Sequence, residues 1–224
     1  MIQSYRSVED FPPLEAATKE GLLAIGGDLS EERLIKAYQS GVFPWYGPDE
    51  PILWWSPDPR CVIFPEKFNP SRSLLKSIRK RQFRFTLDTA FNQVISECSV
   101  PRGDKNGTWI TSSMKRAYLG LHQTGIAHSA EIWQQDQLVG GLYGLALGGV
   151  FFGESMFSRV TDSSKAALAL LIGKLVQWDF RLIDCQVSSD HLLSLGAEEI
   201  PRTEFINLLQ SALALPGNLK SWSP

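Results

Sequence analysis

The pattern of apolar and polar positions changes character near residue 62. Beyond it, alternating stretches read as strands and amphipathic stretches as helices. "SRSLLKSIRKR" (71–81) is helical in pattern. "FRFTL" (83–87) alternates as a strand, and Asp88 after it is placed to cap a helix over "TAFNQVISEC". "TWIT" (108–111) reads as a short strand, followed by a helix over "SSMKRAYLGLHQTG" that ends at Gly125. "SAEIWQQDQLVGGLYGLALGGVFFG" (129–153) predicts three antiparallel strands with turns near Gln135–Asp136 and Gly148–Gly149. A helix over 162–178 takes Asp162 or Ser163 as its cap. "RLIDCQV" (181–187) is a short apolar strand, read as central. "SSDHLLSLG" is a short helix stopped by Gly196, and "TEFINLLQSAL" (203–213) is an amphipathic closing helix.

Before residue 62 the pattern is different. One short helix, "SEERLIKAYQSG", is capped by Ser30, carries Glu31 and Glu32 in its first turn and ends at Gly41. Five of the thirteen prolines follow between Pro44 and Pro59, with Trp45, Trp54 and Trp55 among them. Proline at that density prevents long helices and interrupts strand ladders, so the stretch reads as a rigid, aromatic-rich loop region. The organisation expected is a small N-terminal domain over 1–62 and a mixed α/β (α+β) domain over 63–224.

Composition narrows the class. The 224 residues, 43% hydrophobic, suffice for a real core. Net charge is −2, so a nucleic-acid partner has to be met by local charge. Arg72, Lys76, Arg79, Lys80, Arg81 and Arg84 supply it, with no acid between them. Such a stripe is either a solvated helix face or a track for a phosphate backbone. Exposed tryptophans could stack on nucleobases beside it. Cys61, Cys98 and Cys185 are odd in number and widely spaced, which suits a reduced, cytoplasmic protein with neither disulfide nor zinc site. No basic segment leads into an apolar one at the start, and no apolar run approaches the ~20 residues that span a bilayer, so neither an export signal nor a membrane partner is expected.

The chemistry concentrates in two apolar segments that each hold an acid. "FFGESMFSR" (151–159) contains Glu154, just after a glycine that suggests a bulge or a close backbone approach. "RLIDCQV" contains Asp184. Strict alternation places Leu182, Asp184 and Gln186 on one face and Ile183, Cys185 and Val187 on the other. Asp184 alone would read as a hydrogen-bonded structural acid. Two acids and an amide converging in an apolar cleft read instead as a functional site, since unpaired buried carboxylates are costly. The glycine-rich 140–149 stretch lacks the strand-to-helix setting of a dinucleotide site, and "GESMF" lacks the second glycine of a nucleophile elbow. His122, His128 and His191 have no metal-ligand spacing. His191, after Asp190 at a helix start, reads as a capping or packing residue. Cys185 points away from the Asp184 face, against a role as catalytic thiol.

Several stretches together resemble the leucyl/phenylalanyl-tRNA–protein transferase family. They are "GLLAIGGDLS" (21–30), "GVFPWY" (41–46), "ILWWSPDPR" (52–60), "GTWIT" (107–111), "GESMFSR" (153–159), "LIDCQV" (182–187) and "LGAEEIPR" (195–202). The resemblance implies an N-acetyltransferase-like mixed sheet beside a small N-terminal domain. It implies transfer of leucine or phenylalanine, less readily methionine, from aminoacyl-tRNA to the N-terminal arginine or lysine of proteins, marking them for degradation, with no metal or coenzyme. Asp184, Gln186 and Glu154 would be catalytic: Asp184 with Gln186 orients and polarises the acceptor amine, Asp184 takes its proton, and Glu154 holds an ammonium of either substrate. Leu142, Phe151, Met156, Ser158, Leu168, Leu171 and Ile183 would form the aminoacyl pocket. Trp45 and Trp109 would bracket the terminal adenosine, with the basic stripe on the tRNA backbone. Three rivals share these residues: an acyl-CoA N-acetyltransferase, disfavoured because "SRVTDSSK" has no phosphate-cradling glycine; a tRNA-dependent transferase with another acceptor; and a non-catalytic RNA-binding module.

Overall fold

A computed structural model describes residues 3–5, 11–101, 108–217 and 222. The N-terminal segment builds a four-stranded sheet from β1 (Gln3–Tyr5), β2 (Leu22–Gly26), β3 (Phe43–Pro44) and β4 (Leu53–Trp55), in the order β1-β2-β4-β3. Helix α1 (Glu31–Gln39) lies between β2 and β3, and the Ser30 hydroxyl accepts the Arg33 N–H as expected of its cap. The loop reading of residues 44–59 is therefore corrected. The prolines border short strands instead of breaking long ones: Pro44 ends the edge strand β3, where a missing donor is tolerated, and Pro51 and Pro57 flank β4.

The second sheet has seven strands. β5 (Arg60–Ile63) comes first, then α2 (Arg72–Arg81), β6 (Arg84–Leu87), α3 (Phe91–Cys98) and α4 (Ser112–Gln123). The three expected antiparallel strands follow as β7 (Ala127–Gln134), β8 (Gln137–Leu147) and β9 (Val150–Ser158). Their turns fall where the sequence puts them, with Gln135 and Gly148 in the left-handed region. After α5 (Ser163–Gln177) come β10 (Leu182–Gln186), α6 (Asp190–Ser194), β11 (Glu198–Ile200) and α7 (Arg202–Leu213). The order is β11-β5-β10-β9-β8-β7-β6, antiparallel throughout except for the parallel pair β9/β10. This is the mixed sheet the sequence predicts.

Successive residues of the central strands feed two cores on opposite faces. Phe152 and Leu182 pack with α1, α3, α4 and α7. Their neighbours Phe151 and Ile183 pack with α5. Leu23, Ala24 and Trp54 of the small sheet join the first of these cores. Because β5 begins at Arg60 and pairs within the larger sheet, a boundary after residue 62 would cut a strand.

Three local expectations differ. Residues 108–111 form no strand; Thr111 instead caps α4, its hydroxyl accepting the Met114 N–H at 3.2 Å. Asp88 does not cap α3. It adopts a left-handed backbone and accepts the Ser129 N–H at 2.8 Å, with His128 Nδ1 at 2.7 Å. Asp162 occupies the N-cap position of α5 but makes no side-chain cap bond. Strands β5 and β11 carried no signal that the sequence reading used. Among the described residues, no helix is long and apolar enough to cross a membrane.

Candidate active site

The parallel pairing of β9 and β10 runs from Val150↔Leu182 to Phe152↔Asp184 and stops. Both strands turn irregular at that point. Between β8 and β9 the register slips, with Gly144 opposite Gly153 and Tyr143 opposite Ser155, which leaves Glu154 as the extra residue of a bulge. Gly144 is required there: a Cβ would stand 2.1 Å from the Phe152 carbonyl oxygen. Between β10 and β5 the register slips again, so that Cys185 is extra, between Asp184↔Val62 and Gln186↔Cys61. Gln186 has φ 58°, and the Val187 N–H reaches back to the Cys185 carbonyl at 2.7 Å, closing a tight left-handed γ-turn. A non-glycine residue held in such a turn is strained, and strain of this kind gathers at functional sites.

Where the strands part lies a cavity of about 390 Å³. Leu142, Phe151, Met156, Leu168 and Ile183, five of the expected pocket residues, line it, together with Glu154 and Gln186. Two expected residues are elsewhere. Leu171 is fully buried in the core beneath α5, and the Ser158 hydroxyl lies 2.9 Å from both the Val160 carbonyl and Ser163 Oγ. Tyr143, Gly153, Ser155 and Leu192 also line it without having been expected, and so do three residues with chemistry of their own. Ser189 and His191 come from the start of α6, so His191 has cavity access beyond a packing role. Cys185 points away from Asp184, as expected, but the face it points to is the cavity.

Glu154 sits at the centre of a polar cluster. Tyr38 and Tyr118 hydroxyls lie 2.7 Å and 2.9 Å from its two carboxyl oxygens and 2.5 Å from each other, while Gln186 Nε2 donates to Oε1 at 3.2 Å. Burial pushes the Glu154 pKa up to about 7, against the lowering effect of the tyrosines; Asp184 adds to the rise. Burial and the neighbouring Glu154 push both tyrosine pKa values well up as well. Both hydroxyls donate to the Glu154 carboxyl oxygens, which favours the charged form, and burial outweighs them.

Asp184 is placed differently from the sequence expectation. It is fully buried and gripped by Arg60, Nε to Oδ1 at 2.8 Å and Nη2 to Oδ2 at 2.7 Å. Arg60 is also fully buried, lies against the Phe43 and Phe205 rings, and donates from Nη1 to the Gly41 carbonyl. Asp184 Oδ1 accepts the Gln186 backbone N–H at 2.9 Å. Asp184 therefore shares the Leu182 face, toward α7, while the bulge turns the Gln186 side chain into the cavity. The predicted common face of Asp184 and Gln186 does not form. Their contact runs through the backbone.

Comparison with known proteins decides the family. Residues 62–210 match the model described as leucyl/phenylalanyl-tRNA protein transferase, and residues 27–58 match the N-terminal domain of the same family. The chain is 56% identical over 214 residues to the leucyl/phenylalanyl-tRNA–protein transferase of Methylococcus capsulatus, covering 95% of this chain and 91% of that protein. It is 54% identical to that of Nitrosomonas europaea, covering 99% and 95%, and 58% identical to that of Ectopseudomonas mendocina, covering 92% of each. The chain belongs to the leucyl/phenylalanyl-tRNA–protein transferase family. It is thereby an aminoacyltransferase.

In this transferase the basic residues fall into a pattern finer than the sequence showed. Arg72, Lys76, Arg79 and Lys80 line one shallow groove on α2, around a partly exposed Leu75. Arg81 turns to Ser77, and the Arg84 guanidinium lies 5.1 Å from the centre of the Trp133 ring. None of the six forms an ion pair with an acid among the described residues. Trp45 is 44% exposed, with its ring 6.0 Å from that of Trp55, and Trp109 is half-buried against the first core.

Proposed function

We propose that the protein transfers leucine or phenylalanine, and methionine less readily, from aminoacyl-tRNA to the N-terminal arginine or lysine of proteins, labelling them for degradation. The observation that carries this reading is the cavity. Its walls suit an uncharged, medium-sized apolar side chain, and a carboxyl group and an amide stand beside them where an ammonium and an ester would meet. The leucyl or phenylalanyl side chain lies against Leu142, Phe151, Met156, Leu168 and Ile183.

The acceptor amine has an ordinary pKa of about 7.7 to 8, so at neutral pH it arrives mostly as an ammonium. Glu154, with its pKa near 7, is close enough in affinity to take that proton. Once protonated, the buried acid is held neutral by desolvation, which outweighs the hydrogen bonds from Tyr38 and Tyr118. The free amine attacks the ester carbonyl. As the tetrahedral intermediate collapses, a second proton passes from nitrogen to the departing ribose oxygen, and Glu154 returns its own to solvent. Gln186 donates to Glu154 and presents its side-chain carbonyl to the amine. Asp184 acts as a positioning residue: with Arg60 it fixes the γ-turn that aims Gln186. The ester is already activated, so orientation supplies much of the acceleration. Trp45 and Trp109 stack on the terminal adenosine, and the α2 groove follows the tRNA backbone.

The test is a panel of peptides that differ only in their first residue, incubated with leucyl-tRNA. Label on the peptides beginning with arginine and lysine, and on no others, is the expected result. Label without regard to the first residue, or on none, overturns the acceptor assignment. Acceptance of acetyl-CoA as donor would favour the acyl-CoA rival.

A further inference from the structure

Two neighbouring thiols, Cys185 in the lining of the cavity and Cys61 in the core behind it, have no part in the transfer chemistry. Cys61 stands on β5 and Cys185 on β10, and the bulge between these strands leaves Cys185 unpaired beside Cys61. Both side chains turn to the α5 face. Cys61 is 1% exposed within that core, and Cys185 packs against the core while also lining the cavity. Both are free thiols, and each lies near enough to shift the other's ionisation, Cys61 downward and Cys185 upward. We propose that Cys61 and Cys185 form an oxidation site, which hydrogen peroxide joins as a cross-strand disulfide, deforming the cavity wall and stopping transfer. The loss of transfer rests on the reading of this cavity as the aminoacyl pocket; the disulfide itself does not.

Cys61 parts with its proton more readily, because the neighbouring Cys185 thiol favours its thiolate, while Cys61 and burial hold the Cys185 proton. Peroxide, little larger than water, reaches the buried Cys61 sulfur past Cys185, which lines the cavity. The Cys61 sulfur attacks one peroxide oxygen and the O–O bond breaks. The departing hydroxide leaves as water with the Cys61 proton, and Cys61 becomes a sulfenic acid. The Cys185 sulfur then attacks the Cys61 sulfur; the S–S bond forms, the S–O bond breaks, and the hydroxyl leaves with the Cys185 proton as a second water. Two thiols lose two electrons, and one peroxide becomes two waters. A disulfide needs its sulfurs about 2.05 Å apart, so Cys185 is drawn toward β5. Its carbonyl closes the γ-turn around Gln186, and the displacement therefore reaches the Gln186–Glu154 hydrogen bond.

The experiment treats the full-length protein with hydrogen peroxide, maps unreduced peptides by mass spectrometry, and measures leucine transfer before treatment, after it, and after dithiothreitol. The expected product is two hydrogens lighter and contains a Cys61–Cys185 linked peptide. Transfer should fall about tenfold or more, the low end of what small changes in an apolar pocket do, and dithiothreitol should restore it. Cys61→Ala should transfer normally before treatment and show no such reversible loss. Absence of the linked peptide overturns the proposal. So does unchanged transfer by the disulfide form, or an equal reversible loss in Cys61→Ala. If the untreated protein moves no leucine, the proposed function fails, and the linked peptide still decides the oxidation site.

Discussion

Glu154 is the residue on which the account turns, and its environment makes a stability prediction independent of activity. Its folded pKa, about 7, lies above the ordinary glutamate value. Between the two, the folded protein binds more protons than the unfolded chain, so stability falls as pH rises through that window. The full shift corresponds to roughly 3 to 4 kcal/mol at 1.36 kcal/mol per unit. Glu154→Gln removes the titration, so melting temperatures of the variant should decline less than those of the wild type between pH 4.5 and 7. Parallel curves would show that Glu154 ionises normally. The pocket walls make a second prediction. Met156→Ala and Leu168→Ala enlarge the cavity and should shift the Leu-to-Phe ratio of kcat/KM toward phenylalanine, by the 1 to 3 kcal/mol typical of methylene-scale changes. Leu171→Phe, in the sealed core, should instead cost about 1 to 3 kcal/mol of stability through overpacking and leave the ratio unchanged. Glu154 was legible because an acid interrupted an apolar run. Tyr38 and Tyr118 were not: they lie 116 and 36 residues away in sequence and resemble any aromatic residue on the buried side of a helix.

Among the elements, long periodic segments were the readable ones. The β7–β9 meander and helices α2, α4, α5 and α7 stand where alternation, capping and glycine stops put them. The shortest strands were not readable. β3 has two residues and β4 three, too few for alternation to show, and prolines beside them gave the opposite signal. The face of Asp184 was misread for a different reason. Period-2 reasoning assumes an unbroken ladder, and neither "DCQ" nor its flanks announces the bulge at Cys185. Arg60, the partner that explains Asp184, is 124 residues away and stands in a strand with no sequence signature. The pair is sealed from solvent, so Asp184→Asn leaves a buried guanidinium uncompensated. It should cost about 3 to 5 kcal/mol of stability, measured by denaturant unfolding. A variant as stable as the wild type would contradict this arrangement.

At the scale of the molecule, donor and protein must meet over a surface that bulk charge does not describe. Charge reversal at Arg72, Lys76, Arg79 and Lys80 should raise the KM for leucyl-tRNA and flatten the salt dependence of binding. Turnover of leucyl-adenosine, too small to reach α2, should stay as it is. Equal loss on both donors would make the groove structural. The central claim, that Glu154 exchanges the reacting proton in the cavity, is tested most directly by single-turnover transfer from leucyl-adenosine to an arginine-initiated peptide as a function of pH. In the wild type the rate should rise through a titration near pH 7, reflecting ionisation of Glu154. In Glu154→Gln that titration should vanish and the rate should fall by about 10² to 10⁴. A variant that keeps the wild-type rate and pH profile would contradict the account.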